Sequence, residues 1–273
     1  MPFIIRHLVN GKFSYKNANT TDLARIKKLR IPPMWSNVKI DKSEKSKIQA
    51  TGYDSKKRKQ YIYNQDYVNR NKRIKFNKIN SFDYNKYSRV IRHHIKKTDL
   101  SKDCVIANVL KLMEDLNIRV GNESYKKENG TYGVSTLLKS HFKNNTLSFV
   151  GKKGISHIKK ITSNASLSFL SRVIRIKGPC LFYDISGNKI TAQDLNSFLK
   201  EKVQTNITCK DIRTYCANKI FKKFMNGIPR GLTEKERHKN IIKGIDHTAY
   251  HLGNTRKVCK DSYLCPNIIN KYI

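Results

Sequence analysis

Residues 251–266 read HLGNTRKVCKDSYLCP and follow the last long helix that the sequence predicts. Thr233 and Glu236 have the spacing of a capping box, which predicts that this helix begins at Thr233. Gly253 can end the helix, because glycine readily adopts the left-handed conformation found beyond helix C-termini. The helical spacing of its apolar residues predicts an inward face of Ile241, Ile242, Ile245, Ala249 and Leu252. Tyr263 therefore lies in a short segment beyond the helix.

Upstream of this helix, the chain after Asp99 has mostly helical patterns. The predicted elements are a helix within 101–121, whose apolar stripe runs from Val105 to Leu116 before a turn that Gly121 can end, helices over 191–203 and 209–225, a β-hairpin over 147–161 and a strand over 181–185. Gly151 and Gly154 mark the tip of the hairpin, and Thr191 is a candidate N-cap. This half of the chain is expected to be mainly α-helical.

The first part of the chain is predicted to be rich in β-strands. Asn10-Gly11 separates two alternating runs and is a strong signal for a two-residue hairpin turn. The remaining predicted elements are a helix over 21–30, extended chain over 34–40 after Pro32-Pro33, and two strands within 47–64. Residues 66–78 are polar without an apolar period, so we place the domain junction there. We expect an α+β fold with a β-rich domain over 1–72 and a helical domain over 73–273.

The charge of the chain indicates its partner. It carries 56 Lys and Arg against 20 Asp and Glu, a formal net charge of +36. A soluble domain of this size seldom exceeds a net charge of about 8, so a polyanion is needed to offset the self-repulsion. Nucleic acid is the leading candidate for this polyanion. No apolar run is long enough to span a membrane, and the six cysteines have no paired spacing, which favours an intracellular protein with reduced thiols.

Five segments, in order, give the chain a family resemblance. They are IPPMWSNVKI with IQATGYDSKKRKQYIY, then IRVGNESYKKENGTYGVSTLLKSH, FVGKKG, KDIRTYCAN and HLGNTRKVCKDSYLCP. Together they resemble the type IB DNA topoisomerases, in the small branch that includes poxvirus, giant-virus and bacterial enzymes. The resemblance covers about residues 30–266. It implies that the helical domain is of the tyrosine recombinase and type IB topoisomerase kind, with a small hairpin carrying a catalytic lysine.

The resemblance also implies the catalytic residues. Tyr263 matches the nucleophile that attacks a phosphodiester and forms a phosphotyrosine bond. Arg119 and Arg213 match the arginines that hold the phosphate oxygens, and guanidinium groups suit that role. Lys152 matches the general acid that protonates the departing 5′ oxygen, although Lys153 beside it competes for the assignment.

Two further positions complete the catalytic set. Lys210 matches a supporting lysine one helical turn before Arg213. Asn254 stands where the poxvirus enzymes have histidine and where the bacterial and giant-virus branch has asparagine. Either side chain can donate a hydrogen bond to a phosphate oxygen. With asparagine at this position, charge stabilisation depends more on the two arginines.

The expected DNA contacts lie on a strand of the first domain and beside the cleavage site. Arg58, Gln60, Tyr61 and Tyr63 match a strand that enters the major groove, where Arg and Gln read base edges and Tyr hydroxyls hold phosphates. Tyr125 matches a phosphate contact next to the scissile bond. Taken singly, each of these residues has an ordinary structural explanation, such as packing for Tyr263 or a solvated turn for the lysine hairpin.

The expected function is therefore that of a type IB DNA topoisomerase. A monomer clamped around duplex DNA would relax supercoils by cutting and resealing one strand through a 3′-phosphotyrosyl intermediate, with no ATP, metal or other cofactor. The alternatives are a tyrosine recombinase or integrase and a DNA-packaging protein without enzymatic activity. The expected location is intracellular, with DNA, and in a virion or viral factory if the source is a large DNA virus. The chain ends soon after Tyr263, so we expect the tyrosine segment to order fully only on DNA.

Overall fold

A computed structural model describes residues 3–273 of the chain. The chain divides into two compact units between Asn77 and Lys78. About half of it is helical, and its strands form small antiparallel sheets. Within residues 3–273, no helix combines the length and the apolar character that a membrane crossing requires.

The first unit contains a five-stranded antiparallel sheet with strand order β2-β1-β3-β4-β5. Its elements are β1 (Phe3–Val9), β2 (Lys12–Lys16), α1 (Thr20–Leu29), β3 (Ser36–Asp41), β4 (Ile48–Tyr53) and β5 (Lys59–Tyr63). The predicted turn at Asn10-Gly11 is confirmed, and both residues have positive φ, as a two-residue hairpin turn requires. A core between α1 and the sheet is formed by Ile4, Ile26, Val38, Ile40 and Ala50.

The polar stretch that we predicted to be an irregular junction is instead a helix, α2 (Gln65–Asn80). Asn64 caps the N-terminus of this helix, because its side-chain oxygen accepts hydrogen bonds from the backbone N–H groups of Asp66 and Tyr67 at 2.8 and 3.2 Å. Most of α2 is exposed, and only Phe76 and Ile79 are buried. A helix that buries so few residues shows no apolar period, which is why the sequence pattern missed it. The boundary between the two units falls inside α2.

The second unit is built mainly of helices. They are α3 (Tyr84–Ile95), α4 (Lys102–Leu116), α5 (Glu123–Asn129), α6 (Asn164–Val173), α7 (Ala192–Glu201), α8 (Cys209–Asn226), α9 (Glu234–Leu252), α10 (Arg256–Ser262) and α11 (Pro266–Asn270). A small sheet of order β6-β7-β8 contains β6 (Phe142–Lys143), β7 (Thr146–Gly151) and β8 (Ile155–Lys160). The predicted hairpin over 147–161 is confirmed as β7 and β8. The apolar face of α4 lies in the centre of the core.

In the second unit, two helix starts agree with the sequence signals, whereas one predicted strand and one predicted inward residue do not. Thr191 and Thr233 both cap their helices in capping boxes, as predicted. The predicted strand over 181–185 is wrong: Tyr183 makes an isolated bridge to Lys189, and no strand within residues 3–273 continues the pairing. Ile242 is wrong as an inward residue, since it is 44% exposed. It follows buried Ile241, and successive helical residues point about 100° apart.

Candidate active site

The second unit contains a cavity of about 290 Å³ that gathers most of the predicted catalytic residues. Its lining comes from the loop after α4, from α5 and the loop that follows it, from the hairpin tip, from the start of α8 and from the segment after α10. The lining residues are Arg119, Val120, Gly121, Asn122, Tyr125, Thr131, Tyr132, Lys152, Cys209, Lys210, Arg213 and Tyr263. No Asp or Glu of the described chain is among them. The cavity is therefore strongly cationic.

Tyr263 lies directly after α10 and is 9% exposed. Its phenol group makes side-chain hydrogen bonds with both Arg213 and Arg119. Burial by itself raises the pKa of Tyr263, but the charges and hydrogen bonds of the two arginines outweigh burial, so that the pKa lies below its ordinary value. The arginines thus favour the phenolate, which is the nucleophilic form of tyrosine.

Arg213 is 4% exposed and is held by backbone carbonyls. Its guanidinium donates to the carbonyl oxygens of Asn117 and Leu252. Burial, and then the nearby charge of Arg119, lower the pKa of Arg213 to about 10, although Tyr263 acts in the opposite direction. Its Nε atom is buried and has no hydrogen-bond partner within residues 3–273. Two adjacent cations and an unused N–H are features of a site that binds an anion.

Arg119 and Asn254 form a second pair in this region. Arg119 donates to the side-chain oxygen of Asn254 at 2.6 Å. Asn254 follows Gly253, which ends α9 with a φ of 58°, as the sequence predicted. The Nδ2 atom of Asn254 is buried and finds no acceptor in the described part of the chain. A phosphate oxygen near Arg119 could therefore accept from this amide as well.

The lysines and Tyr125 lie around the rim of the cavity. Lys152 is in the hairpin tip, with its Nζ atom 5.9 Å from the ring centre of Tyr125. Lys210 is in the first turn of α8, one turn before Arg213. Lys152 and Lys210 line the cavity, whereas Lys153 is not among its lining residues. This difference favours Lys152 over Lys153 as the candidate acid.

Asn218 is a component of the site that our sequence reasoning did not identify. It lies on α8 and is 5% exposed. Its Nδ2 atom donates to the carbonyl of Tyr263 at 2.8 Å, and its Oδ1 atom accepts from the N–H of Cys265 at 2.9 Å. One amide thus fixes the backbone on both sides of Leu264. Two sequence signals were available: Asn218 ends the motif KDIRTYCAN, and it lies five residues after Arg213 on the same predicted helix.

We expect Asn218→Ala to lower the single-turnover rate of DNA cleavage by about 10²-fold, because small displacements of a nucleophile cost that much. The measurement is the rate of covalent adduct formation with enzyme in excess. Asn108→Ala is the matched control: Asn108 is also buried and donates to the carbonyl four residues earlier, at Cys104, so this hydrogen bond stays within α4. Equal rate losses in the two variants would contradict a positioning role for Asn218.

The segment around Tyr263 is folded by contacts within the protein. Besides the Asn218 bonds, Tyr263 N–H donates to Cys259 at 3.0 Å, and Cys259, Leu264 and Cys265 are buried. That the segment orders fully only on DNA stays a prediction.

The predicted DNA contacts of the first unit lie on and next to β5. Tyr61 and Tyr63 share its exposed face, with ring centres 6.0 Å apart, as the alternation predicted. Gln60 points to the other face and donates to Asp54 at 2.9 Å. Arg58 precedes the strand and forms an ion pair with Asp54 at 2.7 Å. The tyrosines are therefore directly accessible, whereas Arg58 and Gln60 are held by a carboxylate.

Within residues 3–273, no three His, Cys, Asp or Glu side chains are grouped so that they could hold a metal ion. Four cationic side chains line the cavity. They are Arg119, Lys152, Lys210 and Arg213.

Comparison of the chain with known proteins shows which family it resembles. The family model described as "Eukaryotic DNA topoisomerase I, catalytic core" matches residues 41–272, and "Bacterial DNA topoisomerase IB, N-terminal domain" matches residues 13–54. DNA topoisomerase 1B of Acanthamoeba polyphaga mimivirus is 33% identical over the whole chain and 88% of its own length. DNA topoisomerase 1B of Vaccinia virus (strain Copenhagen) is 29% identical over 80% of this chain and 70% of its own.

DNA topoisomerase 1 of Rabbit fibroma virus (strain Kasza) is 31% identical over 82% of this chain and 72% of its own length. The catalytic-core match covers most of the chain, and the mimivirus relative aligns with all of it. The chain therefore belongs to the type IB DNA topoisomerase family.

Proposed function

We propose that the chain relaxes supercoiled duplex DNA by cutting and resealing one strand, with Tyr263 as the nucleophile. The observation that carries this proposal is the pair of hydrogen bonds that Arg213 and Arg119 make with Tyr263, in a cavity without carboxylates. A phosphodiester in this cavity would meet a phenol with lowered pKa and two guanidinium groups at the same point. This is the arrangement that attack on phosphorus requires.

In the proposed reaction, Tyr263 loses its phenolic proton to solvent, the phenolate oxygen attacks phosphorus and the P–O5′ bond breaks. The products are a 3′-phosphotyrosyl bond and a free 5′ hydroxyl, whose proton comes from Lys152. Arg119 and Arg213 hold the two non-bridging oxygens, and Asn254 donates its unused N–H to one of them. Resealing is the reverse reaction, in which the 5′ hydroxyl attacks the phosphotyrosine. Because the phosphotyrosine conserves the bond energy, the proposed cycle needs neither ATP nor a cofactor.

The proposed DNA contacts extend beyond the cavity. Tyr61 and Tyr63 would hold phosphates, and Arg58 and Gln60 would reach base edges by exchanging Asp54 for DNA. Tyr125 would contact a phosphate beside the scissile bond. The proposal includes a β-rich domain over 1–72, a catalytic domain over 73–273 with Lys152 on its hairpin, and a monomer clamped around the duplex. The proposed place of action is with DNA inside the cell, in a virion or viral factory for a viral source.

A covalent-trapping experiment tests the nucleophile. A duplex whose scissile strand ends a few nucleotides beyond the cleavage site should leave DNA attached to the protein, because the short 3′-terminal piece that carries the new 5′ hydroxyl diffuses away and cannot reseal. Mass spectrometry of the digested adduct should find the nucleotide on Tyr263. A nucleotide on any other residue would overturn the assignment. Relaxation of a plasmid by dilute protein without ATP or Mg²⁺ distinguishes this activity from the recombinase alternative, which needs paired sites.

A further inference from the structure

His157 lies against the candidate active site, although neither the sequence motifs nor the proposed reaction uses it. It is on β8, paired with Phe149 across the hairpin, and is 9% exposed. Its ring stacks on Phe149, with ring centres 5.1 Å apart and planes 23° from parallel. The imidazole therefore has a fixed orientation within the hairpin that carries Lys152.

On one side, the ring fills the space next to Gly151, the residue before Lys152. A Cβ atom at Gly151 would lie 2.6 Å from both Cδ2 and Nε2 of His157, closer than real Cβ contacts. The backbone of Gly151, with a φ of −95°, is one that any residue could adopt. A residue with a Cβ atom has no room at this position, because the His157 ring occupies the place where the Cβ atom would lie.

On another side, the ring fills the space next to Gly253, the residue before Asn254. A Cβ atom there would lie 2.5 Å from Cε1 of His157. One imidazole is therefore in close contact with the residues that immediately precede Lys152 and Asn254. These two residues are 102 positions apart (254 − 152) on elements that share no strand pairing.

The surroundings of His157 keep its ring neutral. Burial lowers the pKa of His157 to about 4, and the charges of Lys159, Arg119 and Arg213 act in the same direction. An uncharged ring can pack against two backbone segments among these cations without adding repulsion. Lys159, on the same strand, also donates to the carbonyl of His251 at 3.0 Å, so the hairpin and the end of α9 are joined at a second point.

We infer that His157 is a positioning residue that sets the distance between the hairpin tip carrying Lys152 and the helix end carrying Asn254. It acts through Gly151 and Gly253 and does not itself touch DNA. The inference rests on the proposed function, because it assigns Lys152 the proton transfer to the 5′ oxygen. A displaced hairpin would impair protonation of the leaving group more than nucleophilic attack by Tyr263.

The test compares two leaving groups at one mapped cleavage site. In the ordinary duplex the P–O5′ bond breaks and the alkoxide needs a proton; in a duplex with sulfur at that position, the P–S bond breaks and a stable thiolate leaves without one. Lys152→Ala should lower oxygen cleavage by about 10²- to 10⁴-fold and leave sulfur cleavage nearly unchanged. His157→Ala and Gly151→Ala should lower oxygen cleavage by about 10- to 100-fold, with sulfur cleavage within about threefold of the unsubstituted protein.

A combined variant tests whether the contact itself matters. In Gly151→Ala with His157→Ala, the new methyl group has room, so the loss should be smaller than the product of the two single losses. Thermal unfolding midpoints report whether each variant folds. If His157→Ala does not fold, the test is made with Gly151→Ala alone. Gly151→Ala removes no polar group from the site.

The outcomes separate the inference from the proposed function. If sulfur rescues Lys152→Ala but neither His157→Ala nor Gly151→Ala, the positioning role is overturned and the proposed acid stands. The positioning role is also overturned if oxygen cleavage is unchanged in His157→Ala and Gly151→Ala, or if these variants lose oxygen cleavage and sulfur cleavage equally. If sulfur fails to rescue Lys152→Ala, the acid assignment is wrong and the inference falls with it.

Discussion

Tyr263→Phe should abolish DNA relaxation and covalent adduct formation while leaving DNA binding within about threefold. Phenylalanine lacks the oxygen that is proposed to attack phosphorus, and loss of a nucleophile lowers turnover by about 10⁴-fold or more. The ring itself should stay in place, because it packs with its centre 5.5 Å from the guanidinium carbon of Arg213. Plasmid relaxation, adduct formation on gels and binding to a short duplex measure the three quantities.

Tyr272→Phe is the matched control for this substitution. Tyr272 lies on the same C-terminal segment, and its hydroxyl donates to Asn226 at 2.7 Å, but it does not line the active-site cavity. We expect it to relax DNA at close to the normal rate. Relaxation that survived Tyr263→Phe, or that was lost equally in Tyr272→Phe, would contradict the assignment of the nucleophile.

Arg213→Lys should lower cleavage by about 10²- to 10³-fold, as expected for loss of a preorganised donor to the transition state. An ammonium group has no planar fork, so it cannot donate to the carbonyls of Asn117 and Leu252 and also to a phosphate in the same geometry. The free energy of unfolding should also fall by about 3 kcal/mol, because buried carbonyls lose charged donors. Single-turnover cleavage and denaturant unfolding measure the two effects.

Arg237→Lys controls for the general loss of an arginine bound to carbonyls. Arg237 on α9 donates to the carbonyls of Gly231 and Leu232 at 3.4 and 3.0 Å, and its Nε atom is also buried without a partner among residues 3–273. It lies outside the active-site cavity. We expect a loss of stability with cleavage within about threefold of normal. A cleavage rate unchanged in Arg213→Lys would remove that residue from the proposed mechanism.

Much of the second unit could be predicted from local sequence signals. The capping boxes at Thr191 and Thr233, the end of α9 at Gly253 and the hairpin over 147–161 involve residues close together in the chain. Such signals depend on backbone hydrogen bonds and side-chain periods that operate over a few residues. The same signals failed for α2, which buries little apolar surface and so has no period to detect.

The sequence by itself determined the cationic character of the protein, the order of its motifs and its family resemblance, because each of these is written in composition or in short segments. Only the tertiary structure decided which groups meet. Asn218 reaches the Tyr263 carbonyl across 45 residues, Arg213 reaches Asn117 across 96, and His157 contacts Gly253 from another element. Contacts of this range depend on how helices and strands pack in three dimensions, and no local pattern of residue types encodes them.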